Sequence, residues 1–202
     1  MQIEKFIKIW AIVLAAGESK RMKAVKMLLP FDGKTIIEKV IENISGSDVF
    51  KILIVTGAYK EEIQKVTEAW SVIHCHNDNY KEGMLSSIKC GFRSVTSGVD
   101  AVLVFPGDQP EIKSDVINQV ISAYKHTNKG IIIPVYMKKR GHPVLIDLRY
   151  RNEIDNLDPA VGLRSLSQLF PEDVYEVETD SPAILKDIDN NEDYINANNQ
   201  IR

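Results

Sequence analysis

The residues best suited to chemistry lie just after the first apolar run, Ile9 to Leu14. Ala15, Ala16 and Gly17 are small, and Lys20, Arg21, Lys23 and Lys26 follow as a basic stretch. Small residues let the backbone turn sharply and come close to a ligand. Backbone amides with fixed positive charges beside them suit a triphosphate. Arg presents a fork to two oxygens, and Lys a mobile point charge. Arg21 and Lys26 are therefore the expected triphosphate-holding, catalytic cations, while Lys20 and Lys23 read as surface charges. The segment contains neither Gly-x-Gly-x-x-Gly nor Gly-x-x-x-x-Gly-Lys-Ser/Thr, so it is neither a dinucleotide fingerprint nor a P-loop.

A second candidate is Asp108, in Pro106-Gly107-Asp108-Gln109-Pro110, directly after the apolar run Ala101 to Phe105. A carboxylate at such a strand end can hold Mg2+, a hard cation that prefers oxygen ligands and keeps several waters. Its competing use is to cap the helix that begins after Pro110. Reaction at a bound triphosphate would need little more from a protein. Charge builds on phosphoryl oxygens and on the leaving pyrophosphate, and positioned cations stabilise it. Other polar candidates are weaker. His74 and His76 sit two apart, a spacing that could chelate on one strand face, but no third ligand stands near them. Cys75 and Cys90 make no metal spacing and no disulfide framework, and read as two reduced, buried thiols.

The elements that position these groups are legible as apolar patterns. Strands are expected at Trp10 to Leu14, Lys51 to Thr56, Ser71 to Cys75, Ala101 to Phe105 and Ile131 to Val135. Helices are expected at Thr35 to Ile44, Glu61 to Trp70, Met84 to Val95 and Ser114 to Tyr124. The last third changes character. Strands at Val144 to Asp147 and Val174 to Val177 flank helices at Arg149 to Leu157 and Val161 to Phe170, and a short helix ends the chain. Apolar strands between amphipathic helices imply a parallel sheet covered on both faces. The expected fold is one α/β domain over residues 1–202, a three-layer, mainly parallel, Rossmann-like sheet with a late mixed region. Ligands gather at the carboxyl ends of such strands, where the loops after Leu14 and Phe105 lie.

Composition narrows the partners. With 25 Lys and Arg against 28 Asp and Glu, the net charge of −3 gives the bulk surface no reason to attract nucleic acid. No apolar run approaches membrane-spanning length, and Met1 to Lys8 are unlike a secretory segment. A cytoplasmic location with no membrane or nucleic-acid partner is expected.

Read together, the segment Leu14 to Lys26 resembles the signature loop of nucleotidyltransferases that activate sugars, alcohols and molybdopterin. The resemblance is strongest to the molybdenum cofactor cytidylyltransferase branch of the MobA-like family, and covers nearly the whole chain. Further segments carry it: Asn77 to Ile88, with Gly83, Met84 and Ser87 resembling a Gly-Met-x-x-Ser segment; Asp108-Gln109-Pro110; Arg140-Gly141-His142-Pro143; and Asp187-Ile188-Asp189. Leu157 to Arg164 keeps Gly162 and Arg164 of a further family segment but alters the spacing of its Asp.

That resemblance implies a nucleotide-diphospho-sugar transferase-like fold and a set of roles. Leu14, Ala15, Ala16, Gly17, Arg21, Lys26, Asn77, Gly83, Met84 and Ser87 would bind nucleotide. For Met84 a core position is the competing and simpler reading, and Ser86 or Ser87 could cap the helix that follows. Arg140, His142 and Arg164 would face the acceptor. Asp108 and Asp189 would share Mg2+, with Asp187 as a weaker alternative. Asp189 with Glu192 three residues on is also a capping-box pattern. Ala16 in place of a second Gly accompanies the cytidine-using branch. The implied substrates are CTP and a molybdopterin-type cofactor, with a molybdenum hydroxylase or its maturation factor downstream. Alternatives are a phosphorylated sugar or alcohol acceptor, GTP-dependent guanylyl transfer to molybdopterin, or a nucleotide-binding regulator without turnover.

Overall fold

The structure, a computed structural model, describes residues 6–20, 22 and 24–199. Strand β1 (Ile9–Ala15) is buried along its whole length. Its side chains alternate between two cores, as the two-residue strand period requires. Ile9, Ala11, Val13 and Ala15 enter one apolar cluster, and Trp10, Ile12 and Leu14 the other. A strand buried on both faces belongs at the centre of a covered sheet.

Strands β2 (Pro30–Phe31) and β3 (Lys34–Thr35) form a small antiparallel hairpin. Helix α1 (Ile36–Ser45) starts at a capping box, in which Glu38 donates its backbone N–H to the Thr35 hydroxyl and its carboxylate accepts from Thr35 N at 2.9 Å. Next come β4 (Lys51–Thr56), α2 (Lys60–Val66), β5 (Val72–His76), α3 (Met84–Ser94), β6 (Ala101–Pro106) and α4 (Ser114–His126). The last third holds β7 (Ile131–Tyr136), β8 (Lys139–Arg140), β9 (Val144–Asp147), α5 (Arg151–Asn156), α6 (Arg164–Leu169), β10 (Val174–Glu178) and α7 (Asn191–Asn199).

The main sheet runs β10-β7-β9-β6-β1-β4-β5, with β8 paired to β7. Strand β1 is parallel to β4 and β6, β4 to β5, and β7 to β10. Strand β9 is inserted antiparallel between β6 and β7. This is the expected mainly parallel α/β sheet with its late mixed region. Helices α1 and α4 cover one face, and α3, α5 and α6 the other. From β1 the chain moves to β4 and β5, then returns on the opposite flank as β6. The order therefore reverses between β1 and β6, where ligands of open α/β sheets bind.

Three helices are shorter than their apolar patterns predict; α5 starts at Arg151 because Leu148–Tyr150 forms a 3-10 turn, and ends at Asn156. Helix α2 stops at Val66; just beyond it the Thr67 hydroxyl donates to the Ile63 carbonyl at 2.7 Å, and the His74 ring lies 2.8 Å from that hydroxyl oxygen. Helix α6 starts at Arg164, not Val161. Val161 and Gly162 both donate backbone N–H to the Asp158 carbonyl, and Gly162 takes φ +73°. Strands β2, β3 and β8 are two residues each and too short to show a period. No described helix is long and apolar enough to cross a membrane.

Candidate active site

Leu14 of β1 lies opposite Pro106 of β6, so the loops that leave the two strands open into one cleft of about 660 Å3. Three bonds pin the first loop: Gly107 N donates to the Leu14 carbonyl at 3.0 Å, Ala58 N to Ala16 at 3.3 Å, and the Tyr59 hydroxyl to Glu18 at 3.2 Å. Leu14, Ala16 and Gly17 line the cleft, whereas Ala15 is buried in the sheet. A Cβ added at Gly17 would meet no described atom within 4 Å. The surface there opens onto space that a ligand can approach closely. Arg21 and Lys23 lie outside the described residues.

Lys26 is held from both ends. Its backbone N–H donates to the Ser19 hydroxyl at 3.1 Å, and its Nζ lies 2.6 Å from Asp108 Oδ2 and 3.4 Å from Asp189 Oδ1. The two carboxylates are brought together by the backbone, since Ile188 N donates to the Asp108 carbonyl at 3.1 Å. Neither is used as a helix cap. Asn190 caps α7, accepting from Glu192 N and Asp193 N, and the Asp193 carboxylate accepts from Asp189 N and Asn190 N. Helix α4 begins after Lys113, beyond Asp108. Asp187 stands at the cleft rim; crowding by protein, then the negative charge of Asp189 and Asp108, holds its carboxyl above the ordinary carboxylate range.

These residues fit a hard divalent cation, because two carboxylates from separate segments already converge on one positive centre, the Lys26 ammonium. Among the described residues no group of three His, Cys, Asp or Glu forms a ready-made metal site.

The segment before α3 forms the next wall. Gly83 takes φ +98°, a conformation that L side chains rarely adopt. Met84 is 62% exposed and lines the cleft. The simpler core reading of Met84 is thus corrected; it is the first residue of α3. Asn77 is buried, with its amide used within the protein: Oδ1 accepts from Asn79 N, and Nδ2 donates to Ser86 at 2.8 Å and Ser87 at 3.0 Å. It braces the start of α3, while Gly83 and Ser87 reach the cleft.

On the opposite wall, His142 lines the cleft and donates its backbone N–H to Ile184 at 3.0 Å. A side chain at Gly141 would collide with the same Ile184 carbonyl. Burial lowers the His142 pKa, and the nearby Asp108 charge opposes this only in part. Arg140 stands at the rim, its guanidinium tied to Glu176 at 2.6 Å and to Ser167 at 3.5 Å. Arg164, at the start of α6, lies outside the cleft lining. Glu18, Tyr80 and Gln109 line the cleft without having been singled out from sequence. Gln109 had a signal, its place beside Asp108; Tyr80 had none.

The remaining candidates are accounted for locally. His74 pairs with Thr67, and His76 lies 3.4 Å from Asp78. Cys75 and Cys90 are free thiols with sulfurs 3.9 Å apart, half-buried instead of buried. Burial pushes the Cys75 thiol up to about 12.

Residues 11–176 match the family described as the MobA-like NTP transferase domain. The chain is 29% identical over 187 residues to the molybdenum cofactor cytidylyltransferase of Escherichia coli (strain K12), covering 92% of this chain and 93% of that one. A nucleotidyl transferase from Methanothermobacter thermautotroptrophicus shares the fold with a TM-score of 0.82 at 23% identity, covering 96% of this chain and 97% of that one. A Mycobacterium tuberculosis H37Rv protein in complex with manganese does so with a TM-score of 0.78 at 19% identity, covering 95% and 98%.

Proposed function

From the premise that the chain belongs to the MobA-like NTP transferase family and is a nucleotidyltransferase, we propose that it transfers CMP from CTP to a molybdenum–molybdopterin cofactor. The observation that carries the reading is the Lys26 ammonium between Asp108 and Asp189, at the strand-order reversal and in the cleft that Gly17 also lines.

An oxygen of the acceptor phosphate attacks the α-phosphorus of CTP. The bond from that phosphorus to the bridging oxygen breaks, and pyrophosphate leaves with the electron pair. The loop from Leu14 to Gly17 receives the nucleotide, and Lys26 with Arg21 neutralises the triphosphate and the departing pyrophosphate. Asp108 and Asp189 would hold Mg2+, which supplies further positive charge where transition-state charge develops. His142 faces the acceptor. The preference for cytidine rests on Ala16, and the choice of acceptor on the near full-length likeness to the Escherichia coli enzyme. The whole chain, residues 1–202, acts as one catalytic domain in this reading, and a molybdenum hydroxylase or its maturation factor receives the product.

The test is pyrophosphate release with molybdenum–molybdopterin as acceptor and CTP or GTP as donor, in Mg2+. CTP-dependent release with little from GTP is expected. Equal use of both donors, or release only with a phosphorylated sugar or alcohol, overturns the assignment.

A further inference from the structure

The cleft holds a buried polar group that the mechanism above does not use. Gln109 directly follows Asp108, is 4% exposed and lines the cleft. Its Oε1 has no hydrogen-bond partner among the described residues. Leaving such a group unpaired costs about 1–3 kcal/mol, and buried groups without partners are few in native proteins. An apolar side chain of the same size would avoid that cost.

A second unpaired group lines the same cleft. His142 Nδ1 is buried and lacks a partner among the described residues. The two residues belong to neighbouring segments, since Gln109 follows β6 and His142 precedes β9, its antiparallel neighbour. Both segments are fastened to one stretch of chain, through His142 N–H to Ile184 at 3.0 Å and Ile188 N–H to the Asp108 carbonyl at 3.1 Å.

Their chemistry differs from that of the cation seat beside them. A primary amide carries one acceptor oxygen and two donor hydrogens; a neutral imidazole carries one donor and one acceptor nitrogen. Neither is suited to neutralise phosphate. Together they complement the edge of a flat, uncharged ring that sets an N–H beside a carbonyl. The terminal torsion of a Gln amide is broad, so rotation about it can turn the oxygen toward such a ring.

We propose that Gln109, together with His142, reads the amide-like edge of a neutral heterocycle on the acceptor, making Gln109 a specificity-determining residue. This rests on the reading that the acceptor carries a pterin. A site built to hydrogen-bond its substrate rejects an analogue that lacks the partner far more strongly than an apolar pocket does.

The experiment titrates 2-amino-4-oxopteridine, a simple pterin, into the protein saturated with Mg2+ and CTP, following pterin fluorescence. Gln109→Met keeps the volume and removes the acceptor. It should weaken pterin binding by about tenfold or more, with CTP affinity unchanged and the melting temperature equal or raised, because an unpaired buried atom is gone. The 3-methyl pterin, which lacks the ring N–H, should bind the wild-type protein correspondingly weakly, a comparison that needs no variant to fold. Equal binding of the two pterins, no pterin binding by wild type, or a variant that loses CTP affinity and melting temperature together overturns the proposal. The pyrophosphate-release assay separates the two readings. Pterin binding that depends on Gln109 without CMP transfer sinks only the function; transfer without pterin selectivity sinks only the role of Gln109.

Discussion

The Lys26 ammonium lies 2.6 Å from Asp108 Oδ2, with side chains only 13% and 18% exposed, and Asp189 Oδ1 completes the group at 3.4 Å. The protein thus places its own cation between the two carboxylates best suited to a metal. A metal ion held by both carboxylates would compete with Lys26 for this position, and a bound triphosphate would offer Lys26 another anionic partner. Metal and nucleotide should therefore bind cooperatively.

Lys26→Met tests that competition. Without nucleotide, the variant should bind Mn2+ about tenfold more tightly than the wild-type protein, because the Lys26 ammonium no longer opposes the ion at close range. CTP affinity should fall. Electron paramagnetic resonance of free Mn2+ reads the first effect and calorimetry the second. Unchanged Mn2+ affinity would show that the ammonium does not guard the site.

Asp108→Asn should leave the fold intact, because the side chain caps no helix and the bond from Ile188 N uses the backbone carbonyl. Turnover at limiting Mg2+ should drop by about 10² to 10³, the usual loss when a group that stabilises transition-state charge is removed. Near-normal pyrophosphate release from a variant with wild-type melting would move the metal role to Asp187 and Asp189.

Gly17→Ala separates ligand approach from protein packing. The added Cβ meets no described atom within 4 Å, so melting should be unchanged. If the triphosphate comes close to this backbone, CTP affinity should fall by about tenfold or more, an effect of crowding the ligand alone. A variant that binds CTP normally would place the nucleotide elsewhere.

His74 should make stability depend on pH. Burial holds its pKa below the ordinary value, so the unfolded chain takes up the proton first as pH falls. Stability is then fully present above the unfolded pKa and declines as pH drops toward the folded one. His74→Asn should flatten part of the loss in urea midpoint between about pH 7.5 and about pH 5.5. His142, also lowered by burial, retains its own share. A wild-type slope that survives intact in the variant would rule His74 out.

The apolar runs in β1 and β6, the small-then-basic loop after Leu14 and the Asp108-Gln109-Pro110 segment are local, and the sequence by itself determined them. Period and composition act over a few residues, so they locate strands, the sheet edge and the chemical types that gather there. They do not determine which distant groups meet. Lys26 and Asp108 are 82 positions apart, and Lys26 and Asp189 are 163 apart. Their meeting depends on β1 and β6 being neighbours and on the backbone bond from Ile188 to Asp108. Whether Asp189 capped a helix or faced the cleft was open in the sequence, because both uses fit one carboxylate before an acidic helix start. The structure gives capping to Asn190 and Asp193, and sets an Asp189 oxygen 3.4 Å from the Lys26 ammonium. Met84 and Arg140 show the same limit. A methionine in a helical pattern reads as core until the helix end exposes it, and the Arg140 guanidinium, at the cleft, meets Glu176 of a strand 36 residues on. Tertiary structure decided these cases, because each depends on a partner whose distance in the chain carries no local signal.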